Sequence, residues 1–180
     1  MNTQDRLPKI LAISGSLRSN SSNNTVINTA VALLAGKANV VIYDGLGRLP
    51  HFDDSKEEYT EVTRWRKLIK ESDGVLICSP EYAFGVPGSL KNALDWTVST
   101  GELVYKPLAL VTAATGGDKA HAALLNTFTA LSTNLTAETS LLISYIRAKM
   151  NPAGEITDAA TFEAIQKVLS SLLSTIKTAE

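Results

Sequence analysis

The chain has 180 residues, of which 44% are hydrophobic and 19% are charged. These values are typical of one ordinary globular domain, predicted here to span 1–180, and they exclude a disordered or fibrous chain. The formal net charge is -1 with no run of basic residues, so we expect no nucleic-acid binding. Residues Met1–Arg6 carry no apolar leader and no later run is long enough to span a bilayer. We therefore expect a cytoplasmic protein that makes no membrane contact.

Strand-like and helix-like segments alternate along the chain. Short apolar runs bounded by turn residues predict strands, and apolar residues at helical spacing predict helices. In chain order the predicted elements are a strand at 9–14, a helix over 26–34, a strand at 39–43, a helix over 57–72, a strand at 74–79, a helix over 87–96, a strand at 108–112, a helix over 124–131, a strand at 140–146 and a helix over 162–176.

This alternation predicts an α/β fold with a five-stranded parallel sheet and helices on both faces. In such sheets ligands bind beyond the carboxyl ends of the strands, near the point where the strand order reverses. The loops after the first, third and fourth strands are therefore the places to look for chemistry.

The loop over 14–23 is rich in groups that bind phosphate. It offers hydroxyls, amides, backbone N–H groups and the guanidinium of Arg18 at the start of a helix, and Gly15 permits a tight turn. It lacks the dinucleotide fingerprint and the Lys-Ser/Thr ending of a nucleotide P-loop, so a monophosphate ligand fits best. Any one of these residues taken alone is as well explained by ordinary loop and capping preferences.

This loop resembles the Gly-Ser-Leu-Arg-x-x-Ser-x-Asn signature of the NADPH-dependent FMN reductase family, whose members have a flavodoxin-like fold. The match covers Gly15–Arg18, Ser21 and Asn23. The resemblance implies that the loop binds the FMN phosphate. The implied ligands are Ser16, Arg18, Ser21 and Asn23, with Ser22 contributing its backbone N–H.

The loop after the third predicted strand extends the resemblance. The family pattern Pro-Glu-Tyr-Asn followed by Pro-Gly-x-Leu-Lys-Asn-Ala-Leu-Asp-Trp is matched at 80–82 and 87–96, and Ala83 replaces the family Asn. A flat isoalloxazine ring needs an apolar wall and nearby backbone groups. The resemblance thus implies FMN contacts from Pro80, Glu81, Tyr82, Ala83 and Phe84. What the missing Asn side chain changes is left open.

The loop after the fourth strand contains a double glycine, which would let the backbone approach a ligand closely. We expect Thr115, Gly116 and Gly117 to line the flavin, although a plain flexible turn explains the individual residues equally well.

No side chain is predicted to be catalytic and no metal site is predicted. His121 is better explained as a polar helix residue than as an acid–base group, and Cys78 as a buried thiol. The resemblance implies that FMN carries the hydride chemistry, with NADPH or NADH as donor and a quinone, azo compound, chromate or free flavin as the small-molecule acceptor. It also implies a homodimer or homotetramer.

Two alternatives stay open at this point. One is a flavodoxin-type electron carrier that binds FMN but has no substrate of its own. The other is a flavin-free interaction module on the same fold, because a fold alone does not determine a function.

Overall fold

A computed structural model describes residues 6–54 and 57–179. Residues 1–5, on which the expectation of no leader segment rests in large part, lie outside the described residues. Five strands and five α-helices alternate in this part of the chain: β1 (Lys9–Ser14), α1 (Ser22–Leu34), β2 (Asn39–Tyr43), α2 (Thr60–Lys70), β3 (Gly74–Ser79), α3 (Gly88–Asp95), β4 (Pro107–Ala114), α4 (Asp118–Ala130), β5 (Asn134–Ser144) and α5 (Ala159–Ala179). Short 3-10 helices cover Leu46–Arg48 and Ile146–Lys149.

The strands form one parallel sheet with the order β2-β1-β3-β4-β5. All four pairings are parallel, with Ile10 beside both Val40 and Gly74 and with Val75 beside Leu108. The chain moves outward in one direction from β1 to β2 and in the other from β3 to β5. The order therefore reverses between β1 and β3, and the loops after these strands meet there. The predicted flavodoxin-like fold is confirmed.

Alternate residues along the strands contribute to two separate apolar cores, one on each face of the sheet. Leu11, Ile13 and Ile77 pack with α2, α3 and α4 on one face. Ile10, Ala12 and Leu76 pack with α1 and α5 on the other. Burial on both faces explains why β3 and β4 are mostly apolar, since neither face of these strands meets water.

Several elements differ in their ends from the sequence prediction, and two of these differences have a clear structural reason. The helix predicted over 57–72 covers Thr60–Lys70, because Tyr59 has an extended backbone and forms its N-terminal boundary. The strand predicted at 140–146 covers Asn134–Ser144. It begins earlier because the polar segment before residue 140 also pairs with β4, after a shift in register between Leu108 and Leu110. It ends earlier because Tyr145 has a positive φ of 54°.

Within the described ranges, no helix is long and apolar enough to cross a membrane.

Candidate functional site

A cavity of about 220 Å³ lies beyond the carboxyl ends of the central strands. Four chain segments supply its walls, and they follow or end β1, β3, β4 and β5. Its lining consists of Arg18, Ser21, Ser22, Asn23, Pro80, Glu81, Tyr82, Ala113, Ala114, Thr115, Ile146 and Arg147.

Gly15 holds the end of β1 close to the end of β3, at the edge of the sheet where the cavity lies. Its backbone N–H donates to the carbonyl oxygen of Cys78 at 2.7 Å, so the chain leaving β1 stays in contact with the end of β3. A Cβ atom at this position would lie 3.1 Å from Cδ2 of Leu90 and 3.3 Å from Cα of Ser79. A side chain here would crowd both neighbours, so glycine favours the close packing of this turn.

The start of α1 presents free backbone donors to the cavity. Ser21 is the N-cap, and its Oγ accepts from the N–H of Asn23 at 3.2 Å. The amide of Asn24 donates to the carbonyl oxygens of Arg18 and Ser19 and thereby fixes the loop. Within the part of the chain that the structure describes, the backbone N–H groups of residues 19–22 have no acceptor at hydrogen-bond distance, and Ser21 and Ser22 among them line the cavity. Such a group of free donors at a helix start binds anions.

The side chain of Asn23 forms its hydrogen bonds with other residues of the protein. It is 3% exposed. Its Nδ2 donates to the carbonyl oxygen of Ala113 at 3.2 Å, and its Oδ1 accepts from the thiol of Cys78 at 3.0 Å. Burial raises the pKa of Cys78, which keeps the thiol protonated and able to donate. The family signature implies a phosphate ligand at this position, whereas here the amide ties α1 to β3 and β4.

The loop after β3 forms a tight hairpin. The N–H of Tyr82 donates to the carbonyl oxygen of Gly85 at 3.1 Å, and the N–H of Gly85 donates back at 2.9 Å. The two residues between them, Ala83 and Phe84, have positive φ values of 48° and 58°. Two such residues in a row define a type I′ turn, which favours Asn-Gly. The turn projects Phe84 outward, so that the residue is 80% exposed.

Glu81 connects this loop to the loop after β4. Its carboxylate accepts from the N–H of Gly117 at 3.2 Å and from the N–H of Ala120 at 2.9 Å. The side chain thus caps the N-terminus of α4, where a negative charge is favoured. On the other side, the Tyr82 hydroxyl lies 3.2 Å from Oγ of Ser16 and links the hairpin to the β1–α1 loop.

His121 lies on α4 between two hydroxyls rather than at the cavity. Its Nδ1 is 2.8 Å from Oγ1 of Thr112, and its Nε2 is 3.1 Å from Oγ of Ser140. Burial lowers the pKa of His121 below its usual value. The neutral imidazole joins α4 to β4 and β5.

The structure brings most of the predicted site residues together. Those that line the cavity are Arg18, Ser21, Ser22, Asn23, Pro80, Glu81, Tyr82 and Thr115. Those that lie in the same loops without lining it are Ser16, Ala83, Phe84, Gly116 and Gly117.

Sequence reasoning missed the contribution of the fifth strand. Ile146 and Arg147 line the cavity, as do Ala113 and Ala114 at the end of β4. The signal was available for Arg147, because this basic residue directly follows a predicted strand whose carboxyl end meets the same edge of the sheet. The reversal of strand order points to the loops after the first, third and fourth strands, so the end of the fifth strand was not among the predicted site segments.

The charges around the cavity favour an anion. Arg18 and Arg147 line it. The acidic residue in the lining, Glu81, accepts hydrogen bonds from backbone N–H groups at the start of α4. A parallel sheet with this strand order and an anion-favouring cavity where the order reverses defines a flavodoxin-like α/β protein.

Comparison with known proteins gives the family. The family model described as NADPH-dependent FMN reductase matches residues 8–147. An NAD(P)H-dependent FMN reductase of Pseudomonas aeruginosa is 30% identical over 172 residues, covering 91% of this chain and 92% of the relative. A quinone reductase of Escherichia coli is 27% identical over 173 residues, with 91% and 92% covered. The solved structure of FerB, a flavoenzyme NAD(P)H:(acceptor) oxidoreductase from Paracoccus denitrificans, superposes with a TM-score of 0.85 at 26% identity and covers 96% of this chain and 98% of that one.

The chain belongs to the NADPH-dependent FMN reductase family. It is accordingly an FMN-dependent oxidoreductase that takes electrons from NAD(P)H, as the resemblance of its loops predicts.

Proposed function

We propose that this enzyme binds FMN with the phosphate at the start of α1 and reduces a small acceptor of the quinone class. The observation that carries the proposal is the pair of free backbone N–H groups of Ser21 and Ser22, which line the cavity together with Arg18. These groups suit a phosphate dianion, since they supply directed donors and positive charge together.

The size of the cavity supports a binding site in two parts, one for the phosphate end of FMN and one for its ring. Pockets that enclose a drug-sized ligand measure roughly 300–1,000 Å³, whereas this cavity measures about 220 Å³. It therefore suits the phosphate and part of the ribityl chain. The isoalloxazine ring would lie at the rim formed by residues 80–84 and 115–117, with one ring face open to substrates.

When bound, FMN supplies the hydride chemistry between the nicotinamide and the acceptor. The chain's own residues bind and position the cofactor. Arg18, Ser21 and the backbone of Ser22 would hold the phosphate. Glu81 fixes the relative position of the two loops beside the ring through its hydrogen bonds to Gly117 and Ala120. His121 is engaged by two hydroxyls and is not needed as an acid or a base.

The choice of acceptor draws on the relatives. The Escherichia coli relative is a quinone reductase, and a relative from a Bacillus strain, 32% identical over 112 residues, is an NADPH azoreductase. A quinone and an azo dye are both flat two-electron acceptors, and they suit an open ring face. Chromate and free flavin are further acceptors to be tested.

We also propose that the enzyme works as a homodimer or homotetramer in the cytoplasm. Exposed apolar side chains in the segment between α3 and β4 support self-association, with Val98 63% exposed and Tyr105 79% exposed. The single free cysteine is compatible with a reducing compartment.

The proposal is tested with the purified chain and FMN. We expect uptake of FMN, rapid bleaching of the flavin absorbance by NADPH, and reoxidation by a benzoquinone. A chain that binds FMN but is not reduced by either nicotinamide would instead be an electron carrier. A chain that takes up no FMN would overturn the proposal.

A first variant tests the phosphate position. We expect Arg18→Ala to weaken FMN binding about tenfold or more and to leave riboflavin binding nearly unchanged, because a charge-assisted contact contributes roughly 1.5–3 kcal/mol. Fluorescence titration with both flavins measures the difference. Lys37→Ala, which removes an exposed positive charge just after α1, is the control. Equal losses for the two flavins would show that Arg18 does not contact the phosphate.

A further inference from the structure

Arg147 is held at the cavity by a rigid turn. β5 ends where Tyr145 adopts a left-handed conformation with φ 54°, and the N–H of Tyr145 donates to the carbonyl oxygen of Thr115 at 3.0 Å. The next side chain, Ile146, is 3% exposed and packs into the core shared by α1 and α5. The backbone of Arg147 is thereby fixed between a buried anchor and a hydrogen-bonded turn, next to the cavity that its side chain lines.

The guanidinium of Arg147 has no partner among the residues that the structure describes. Considering residues 6–54 and 57–179, it forms neither a hydrogen bond nor an ion pair, whereas Arg48 and Arg64 both pair with acidic residues. The guanidinium of Arg18 is equally unpaired in these ranges, and only its backbone groups form hydrogen bonds. The carboxylate of Glu81 faces the backbone N–H groups of α4. The cavity therefore carries two positive charges that no protein group neutralises.

The free donors at the start of α1 specify which anion would suit these charges. The free backbone N–H groups of Ser21 and Ser22 and the two guanidinium groups together offer more donors than a carboxylate can accept. A phosphate monoester has three terminal oxygens and a charge near -2 at neutral pH, so it can accept more of these donors than a carboxylate can and be neutralised by both arginines.

We propose that Arg147 is a second binding residue for a phosphate monoester in this cavity, acting together with Arg18. This inference rests on the proposed function. The FMN 5′-phosphate is the expected ligand because the cavity adjoins the start of α1. The 2′-phosphate of NADPH has the same chemistry, and the experiment distinguishes the two sources.

The first arm measures flavin binding to the apoprotein. We expect Arg147→Gln to weaken FMN binding about tenfold and riboflavin binding less than about twofold, as for the loss of one charge-assisted contact. Arg147→Lys should recover part of the affinity by keeping the charge. The Arg18→Gln/Arg147→Gln double variant should lose a different factor from the product of the single losses, since both residues would share one ligand. Lys37→Gln is the control for the change in net charge.

The second arm compares NADPH with NADH as electron donor at saturating FMN. If Arg147 binds the 2′-phosphate, Arg147→Gln raises KM for NADPH and leaves KM for NADH unchanged, and the FMN-to-riboflavin ratio stays at the wild-type value. Either selective loss supports a phosphate-binding role and identifies its source. Unchanged ratios in both arms overturn the inference while leaving the proposed function intact. Failure of the wild-type chain to take up FMN, in contrast, would defeat the proposed function itself.

Discussion

Two residues in the hairpin after β3 have backbone conformations that their side chains disfavour. Ala83 and Phe84 both lie in the left-handed region, with φ 48° and 58°. L-residues with a Cβ pay a conformational penalty there, which is smallest for Asn and absent for Gly. The family Asn at position 83 thus suits this turn. Its replacement by Ala has a local energetic cost, and the backbone hydrogen bonds of Tyr82 and Gly85 maintain the turn.

We predict that Ala83→Asn stabilises the chain by about 0.5–1 kcal/mol, because Asn tolerates the left-handed conformation better than Ala does. Urea unfolding followed by circular dichroism measures the change. Ala35→Asn is the matched control, since Ala35 is also exposed but has a φ of -55°. Loss of stability at position 83, or an equal effect at both positions, would contradict this explanation.

Asn23 illustrates what a signature cannot tell at the level of one residue. An amide side chain at this position suits two roles: it can bind a phosphate, or it can form buried hydrogen bonds that link neighbouring elements. The signature identified the residue, but the contacts with Ala113 and Cys78 depend on how β3 and β4 pass behind α1. Only the folded arrangement reveals that use.

At the scale of elements, the strands were predicted better than the helix ends. The first three strands begin and end at the predicted residues because turn residues bound short apolar runs. β5 was misjudged at both ends. Its first half is polar, partly exposed and out of register with the rest, and its end is set by Tyr145, whose conformation no residue preference predicts.

The link between Glu81 and α4 was equally invisible in the sequence. The predicted site residues include both Glu81 and Gly117, but these are 36 residues apart, and only the neighbouring positions of β3 and β4 bring them together. The carboxylate then caps α4. No residue of the β4–α4 loop does so, because the N-cap residue is Gly117, which has no side chain.

We predict that Glu81→Gln destabilises the chain by about 1 kcal/mol, since a neutral amide keeps one acceptor oxygen and loses the favourable charge at the helix start. Thermal unfolding of the apoprotein measures the effect without any contribution from bound flavin. Glu163→Gln on the exposed side of α5 serves as the control. An unchanged melting temperature for Glu81→Gln would mean that the cap is dispensable.

At the scale of the whole molecule, His121 makes stability depend on pH. Burial lowers the pKa of His121 below the value of 6.5 expected for the unfolded chain, so the unfolded state binds the proton more readily. The stability contributed by the neutral imidazole is therefore present above the unfolded pKa. It is lost as the pH falls through the lower folded pKa.

We predict that the free energy of unfolding declines between about pH 7 and pH 5, and that His121→Gln reduces this decline. Urea unfolding at a series of pH values gives the profile. His51→Gln changes an exposed histidine and should leave the slope as it is. Carboxylates with lowered pKa values, such as Asp73, add their own dependence only near and below their usual 3.8, outside this window. A slope identical in the wild type and in His121→Gln would refute the assignment.

The exposed tip of the hairpin has a consequence for how this enzyme can change over generations. The Phe84 side chain is 80% exposed and Ala83 carries only a methyl group, so neither contributes much to the cores that hold the sheet and helices together. Substitutions there that tolerate the left-handed backbone conformation cost little in folding, yet they alter the surface beside the proposed ring position. Acceptor preference is thus free to drift at these two positions, and a laboratory selection for a new acceptor should accumulate its first changes there.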